Sequence, residues 1–118
     1  MNRPILTQEN IAPEALNLIS NYHEKTIQEV ENAIKTHKVV IVGMAHNPFV
    51  SKVRKALTKA GVSFEYLEYG SYFSSWKPRL AIKLWSGWPT YPQVFVNGKL
   101  IGGFQETEAA IKNGNILS

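Results

Sequence analysis

The segment Asn47-Pro48-Phe49-Val50, the cations Arg79 and Lys83, and the tripeptide Thr90-Tyr91-Pro92 are where this chain places side chains able to hold a ligand. The sequence contains no cysteine, so thiol nucleophiles, disulfide exchange and thiolate metal ligation are excluded. His23, His37 and His46 lack metal-ligand spacing, and no metal site is expected. His46 flanks Asn47 as a lone histidine of the kind usually found on a surface, and Ser51 has no base and carboxylate to activate its hydroxyl. What is left is binding chemistry. Asn47 is a preferred N-cap and Pro48 a preferred first helical residue, so a helix begins here. Its free N–H groups would favour an anion, in competition with the Asn47 side chain. Arg79 and Lys83 stand four apart and share one helix face, suited either to a carboxylate or to solvent opposite Leu80 and Leu84.

The elements that must position these residues follow from periodicity and punctuation. Pro13 opens a short helix, and Ile27, Val30 and Ile34 mark one face of a second over Glu24 to Thr36. Lys38 to Gly43 reads as a buried strand. Pro48 to Ala60 reads as a helix with Val50, Val53 and Leu57 on its apolar stripe, stopped at Gly61. A strand at Phe64–Glu68, an aromatic loop with Tyr69, Tyr72, Phe73 and Trp76, and a helix from about Lys77 to Gly87 come next. Asn97-Gly98 between Val94–Val96 and Lys99–Ile101 signals a hairpin through a type I′ turn, and a last helix runs from about Glu106 to Asn113. A strand–helix–strand unit forces a parallel pair, and the hairpin adds two antiparallel strands. The expected fold class is therefore α/β, a four-stranded mixed sheet flanked by helices.

At 118 residues and 44% hydrophobic, the chain suffices for one core without a metal or disulfide staple. Its longest apolar runs fall far short of the roughly 18 residues that span a bilayer, so no membrane partner is expected. Met1 to Asn10 does not read as a secretory signal, and a cytoplasmic location is expected. The net charge of +4 is spread along the chain and no nucleic-acid motif accompanies it, so nucleic acid is not an expected partner.

The run Trp88-Pro89-Thr90-Tyr91-Pro92-Gln93-Val94-Phe95-Val96-Asn97-Gly98-Lys99-Leu100-Ile101-Gly102-Gly103 resembles the glutaredoxins closely. The resemblance covers about residues 36 to 114. It implies a thioredoxin-like fold over residues 24–118, preceded by an N-terminal helical extension, residues 1–23, with no counterpart. It also implies a cis Pro92 and a groove in which the Tyr91 backbone pairs with the cysteinyl part of glutathione like an added strand. Thr90, Tyr91, Pro92, Gly102 and Gly103 would line that groove, with the glycines permitting close approach. Gln105 falls where similar glutaredoxins carry an aspartate for the γ-glutamyl group, and Glu106 supplies a charge one position later. By the same resemblance Arg79 and Lys83 hold the glycyl carboxylate.

The family's Cys-Pro-Tyr-Cys falls on Asn47-Pro48-Phe49-Val50: proline and aromatic agree, and both sulfurs are gone. An activating lysine three residues ahead of the first cysteine is here Met44. The Trp88–Gln93 motif resembles the single-cysteine branch, and the short Asn47 loop the two-cysteine branch. No iron–sulfur cluster is expected without a protein thiolate.

Three functions are compatible with this reading. The first is a redox-inactive glutaredoxin-related module that binds glutathione or a small thiol peptide and is linked to redox homeostasis by family alone. The second is a protein-interaction domain using the 69–76 aromatic loop. The third is a glutathione-dependent transferase in which Asn47, Ser51 or His46 hydrogen-bonds the ligand's sulfur. Sequence is silent on oligomeric state.

Overall fold

Val39-Val40-Ile41-Val42 is buried at every position, the condition under which an uninterrupted apolar strand is stable. In the computed structural model, which describes residues 5–116, this run forms β1 (Val39–Gly43) at the centre of a four-stranded sheet. Residues 1–4 of the expected extension, and 117–118, lie outside the described residues. Strand β2 (Glu65–Glu68) pairs parallel with β1 on one side. On the other, β3 (Gln93–Val96) pairs antiparallel with β1 and then with β4 (Lys99–Gly102), giving the order β2-β1-β3-β4.

Alternation along the strands divides the core in two. Val40, Val42 and Phe95 face a cluster with Val30, Ala33 and Ile82, supplied by α2 (Glu24–Thr36) and α4 (Trp76–Ser86). Val39, Ile41, Val94 and Val96 face Val53 and Leu57 of α3 (Pro48–Lys59) and Ile116, with Ala110 and Ile111 of α5 (Phe104–Lys112) packed alongside. The result is a helix–sheet–helix sandwich. Outside it, α1 (Pro13–Asn21) has no buried residue, and a single 3₁₀ turn at Gln8–Asn10 precedes it.

The hairpin turn has φ of 52° at Asn97 and 79° at Gly98, both left-handed as a type I′ turn demands. Helix α5 begins at Phe104, two residues before the sequence suggests, because the Glu106 carboxylate accepts the Gly103 N–H at 2.9 Å and caps the first turn. Helix α4 starts one residue early, at Trp76, after Ser75 adopts φ of 57°.

Candidate functional site

Three loops converge where α3, α4 and α5 meet the ends of the strands. They enclose a groove of about 570 Å³ lined by Asn47, Phe49, Lys83, Thr90–Pro92 and Gly103–Glu106, among others. Asn47 thus lies beside Pro92, although 45 residues separate them in sequence. The Tyr91–Pro92 peptide is cis.

At the start of α3 the Asn47 Oδ1 accepts the Phe49 N–H at 2.9 Å and the Val50 N–H at 3.1 Å. Pro48 has no N–H to offer, and the Ser51 N–H donates to the Asn47 carbonyl at 3.2 Å. The first turn is therefore self-satisfied. Pro48 and Phe49 are exposed at the groove, whereas Val50 is buried in the core, where it bounds the space beside Gly43. Ser51 is exposed, facing a shallow depression with Arg54 and Lys55 on the other side of the helix, so its hydroxyl is not at the groove.

The two cations of α4 part company. Lys83 lines the groove with its Nζ 5.6 Å from the Tyr91 ring centroid, a cation–π geometry. Arg79 is 8% exposed and does not line it. Its Nη1 donates to the Tyr69 carbonyl at 3.1 Å and to the Ser74 carbonyl. Of the two cations expected to hold one carboxylate, the structure places Lys83 in the groove lining and turns Arg79 toward the loop. The 69–75 segment leaves the sheet and must find donors for its carbonyls, and a guanidinium with several N–H groups supplies them.

Tyr91 itself is buried, its hydroxyl donating to the Arg79 carbonyl at 2.6 Å. Burial pushes its phenol well above the ordinary tyrosine range, against a smaller opposing pull from Arg79. Thr90 is exposed at the groove. Gly103 lines the groove, but Gly102 is buried behind it with φ of 124° and is not in the lining. Gln105 and Glu106 are both exposed at the rim, and one Glu106 oxygen is already committed to the Gly103 N–H.

Met44, Tyr72, Trp88, Pro89 and Phe104 also line the groove and were not singled out as binding residues by sequence. Tyr72 had a signal, as part of the aromatic loop. Met44 had one only as the place of a missing lysine. The Trp88 Nε1 is buried without a partner in the groove wall, and a Cβ on Gly103 would stand 3.6 Å from it. In the aromatic loop Tyr69 is half-buried and bonded to Glu29, while Tyr72, Phe73 and Trp76 are 58%, 99% and 58% exposed.

Among the described residues there is no group of acidic, histidine or cysteine side chains able to hold a metal, and no helix is long and apolar enough to cross a membrane. With proline, the Lys83 ammonium, the Glu106 carboxylate and a capped helix start around one groove, the arrangement can hold a zwitterion and offers no protein thiol.

The sequence is 55% identical over 119 residues to a Dictyostelium discoideum protein called "Glutaredoxin-like protein", covering 99% of this chain and 94% of that one. It is 34% identical over 97 residues to the Rickettsia typhi protein called "Probable monothiol glutaredoxin 2", covering 78% and 85%. The fold is similar to that of a buckwheat glutaredoxin–glutathione complex, with a TM-score of 0.68 at 21% identity, covering 80% of this chain and 86% of that one. The Glutaredoxin family model matches residues 39–101, more than half the chain and including β1, the degenerate turn and the hairpin, so this protein belongs to the glutaredoxin family.

Proposed function

We propose that the groove binds a glutathione-type γ-glutamyl peptide without performing thiol chemistry on it. The observation that carries this reading is the pairing of Lys83 with Gln105 and Glu106 around one cleft whose nucleophile position is Asn47. Lys83 suits a peptide carboxylate, and Gln105 with the free Glu106 oxygen suits an ammonium group. The exposed Thr90 and the groove-lining Tyr91 suit an added strand. A buckwheat relative of the same fold is found in complex with glutathione, which supports the choice of ligand class. Without cysteine the chain has no sulfur to exchange, so the module binds and does not reduce. Its work would lie in the cytoplasm, a location that cell fractionation tests.

Calorimetric titration of the full chain with glutathione is the direct test. Saturable heat that is lost or weakened in Lys83→Ala supports the reading, and its absence at millimolar ligand defeats the glutathione assignment. Reduction of a glutathione mixed disulfide by the protein unaided would defeat the redox-inactive part. Conversely, Asn47→Cys should confer such activity if only the sulfur is missing.

A second reading is favoured by the full exposure of Phe73 on a loop that Arg79 pins: contact with a protein partner through Tyr72, Phe73 and Trp76. Replacement of Phe73 and Trp76 by serine, which spares the groove-lining Tyr72, should abolish a complex isolated with the parent chain and leave glutathione binding within a few fold.

A further inference from the structure

The groove wall around the start of α3 has lost the features that hold a thiolate and has gained apolar ones. A thiolate is stabilised by neighbouring cations or by free amides at a helix start. Here the Phe49 and Val50 amides are both spent on Asn47 Oδ1, at 2.9 and 3.1 Å, and Pro48 has none. The neutral Nδ2 of Asn47 is the remaining donor of that cap. Met44, Phe49, Tyr72 and Phe104 line the wall, with the Phe49 and Phe104 rings 6.2 Å apart. Phe49 and Tyr72 are 50% and 58% exposed and so have apolar surface to bury. The nearby Lys52 is drawn over the two phenylalanine rings, 5.1 and 5.8 Å from their centroids.

Resting on the binding reading above, we propose that the groove prefers γ-glutamyl peptides whose sulfur is capped by carbon, thioethers over free thiols. A free thiol finds no unspent backbone amide at the start of α3 to favour its ionised form, and the nearby Lys52 ammonium lies over the two phenylalanine rings. An S-alkyl group instead meets methionine and aromatic surface, where each buried methylene is worth roughly fourfold in affinity.

The test is calorimetry on the full chain with glutathione, S-methylglutathione and S-hexylglutathione at about pH 7.5. The expected order is S-hexyl tightest, about tenfold or more above glutathione, with S-methyl between. Equal or tighter binding of glutathione overturns the preference while leaving the groove reading intact. Failure of all three to bind at millimolar concentration overturns both. Two variants probe the cause. Phe49→Ser should remove most of the S-hexyl advantage. Asn47→Ala frees two amides and should raise glutathione affinity several fold at about pH 9, where much of the ligand's thiol is ionised. Lys52, Tyr72, Lys83 and Glu106 face this wall, so parent and variant are compared at one pH. An unchanged ratio of thioether to thiol affinity in both variants would overturn the assignment.

Discussion

Arg79 satisfies two loop carbonyls from a position 8% exposed, so its side chain acts as a staple between α4 and the 69–75 segment. Its replacement by alanine strands both carbonyls and should cost about 2–4 kcal/mol, read as a lower urea midpoint, with the aromatic loop becoming protease-sensitive. Tyr91 is the reciprocal anchor through its bond to the Arg79 carbonyl. The phenols of Tyr66, Tyr69 and Tyr91 are all raised, chiefly by burial, and for the first two also by hydrogen bonds to Glu68 and Glu29. A phenol whose folded-state value lies above its unfolded one binds its proton more tightly when folded. Its stabilising effect is complete below about pH 10 and is lost as pH rises beyond that. Denaturant midpoints should hold steady up to that point and fall above it, and Tyr91→Phe should flatten part of the fall. A midpoint that rises into strong alkali would contradict this.

At the scale of elements, the α3 start is held between its own cap and the central strand. A Cβ on Gly43 would meet the Val50 methyls at 2.9 and 3.0 Å and the Tyr66 ring at 3.1 Å. Gly43→Ala should therefore push α3 outward and cost about 1–3 kcal/mol, measured by equilibrium unfolding, and should weaken ligand binding by misplacing Asn47. Element types were legible in the sequence because each carries a local cause: Pro48 after Asn47, the valine run of β1, and Asn97-Gly98. The start of α5 was less so. Its cap comes from a carboxylate two residues inside the helix, and Gly103 gives no side-chain signal of its own.

Across the whole molecule, the sandwich formed by α2 to α5 and the sheet holds most of the buried core of the described residues, and α1 lies outside it with Leu18 and Ile19 73% and 58% exposed. Between α1, α2 and α4 a second groove of about 550 Å³ is lined by Leu18, Ile19, Tyr22, Ile27, Leu84 and Trp85. Glu24, Gln28 and Glu31 of α2 also line it, and it holds no cationic side chain, unlike the groove at Asn47. Few buried contacts tie the extension down, so local unfolding there should be easier than in the sandwich. Limited proteolysis should cut before Glu24 first and leave a resistant fragment beginning near that residue. Simultaneous loss of the two parts would mean that residues 1–23 belong to the folding unit.

By itself the sequence determined the order of elements, the mixed sheet, the family and the absence of a protein thiol, since these rest on local patterns and on composition. Only tertiary structure decided which of the two α4 cations reaches the groove. Spacing of four puts Arg79 and Lys83 on one helical face, but the unsatisfied carbonyls of a neighbouring loop drew Arg79 inward and left Lys83 beside Tyr91. Likewise the choice between a helix start open to an anion and one closed by Asn47 lay in a side-chain rotamer, which packing and hydrogen bonding set and sequence spacing does not.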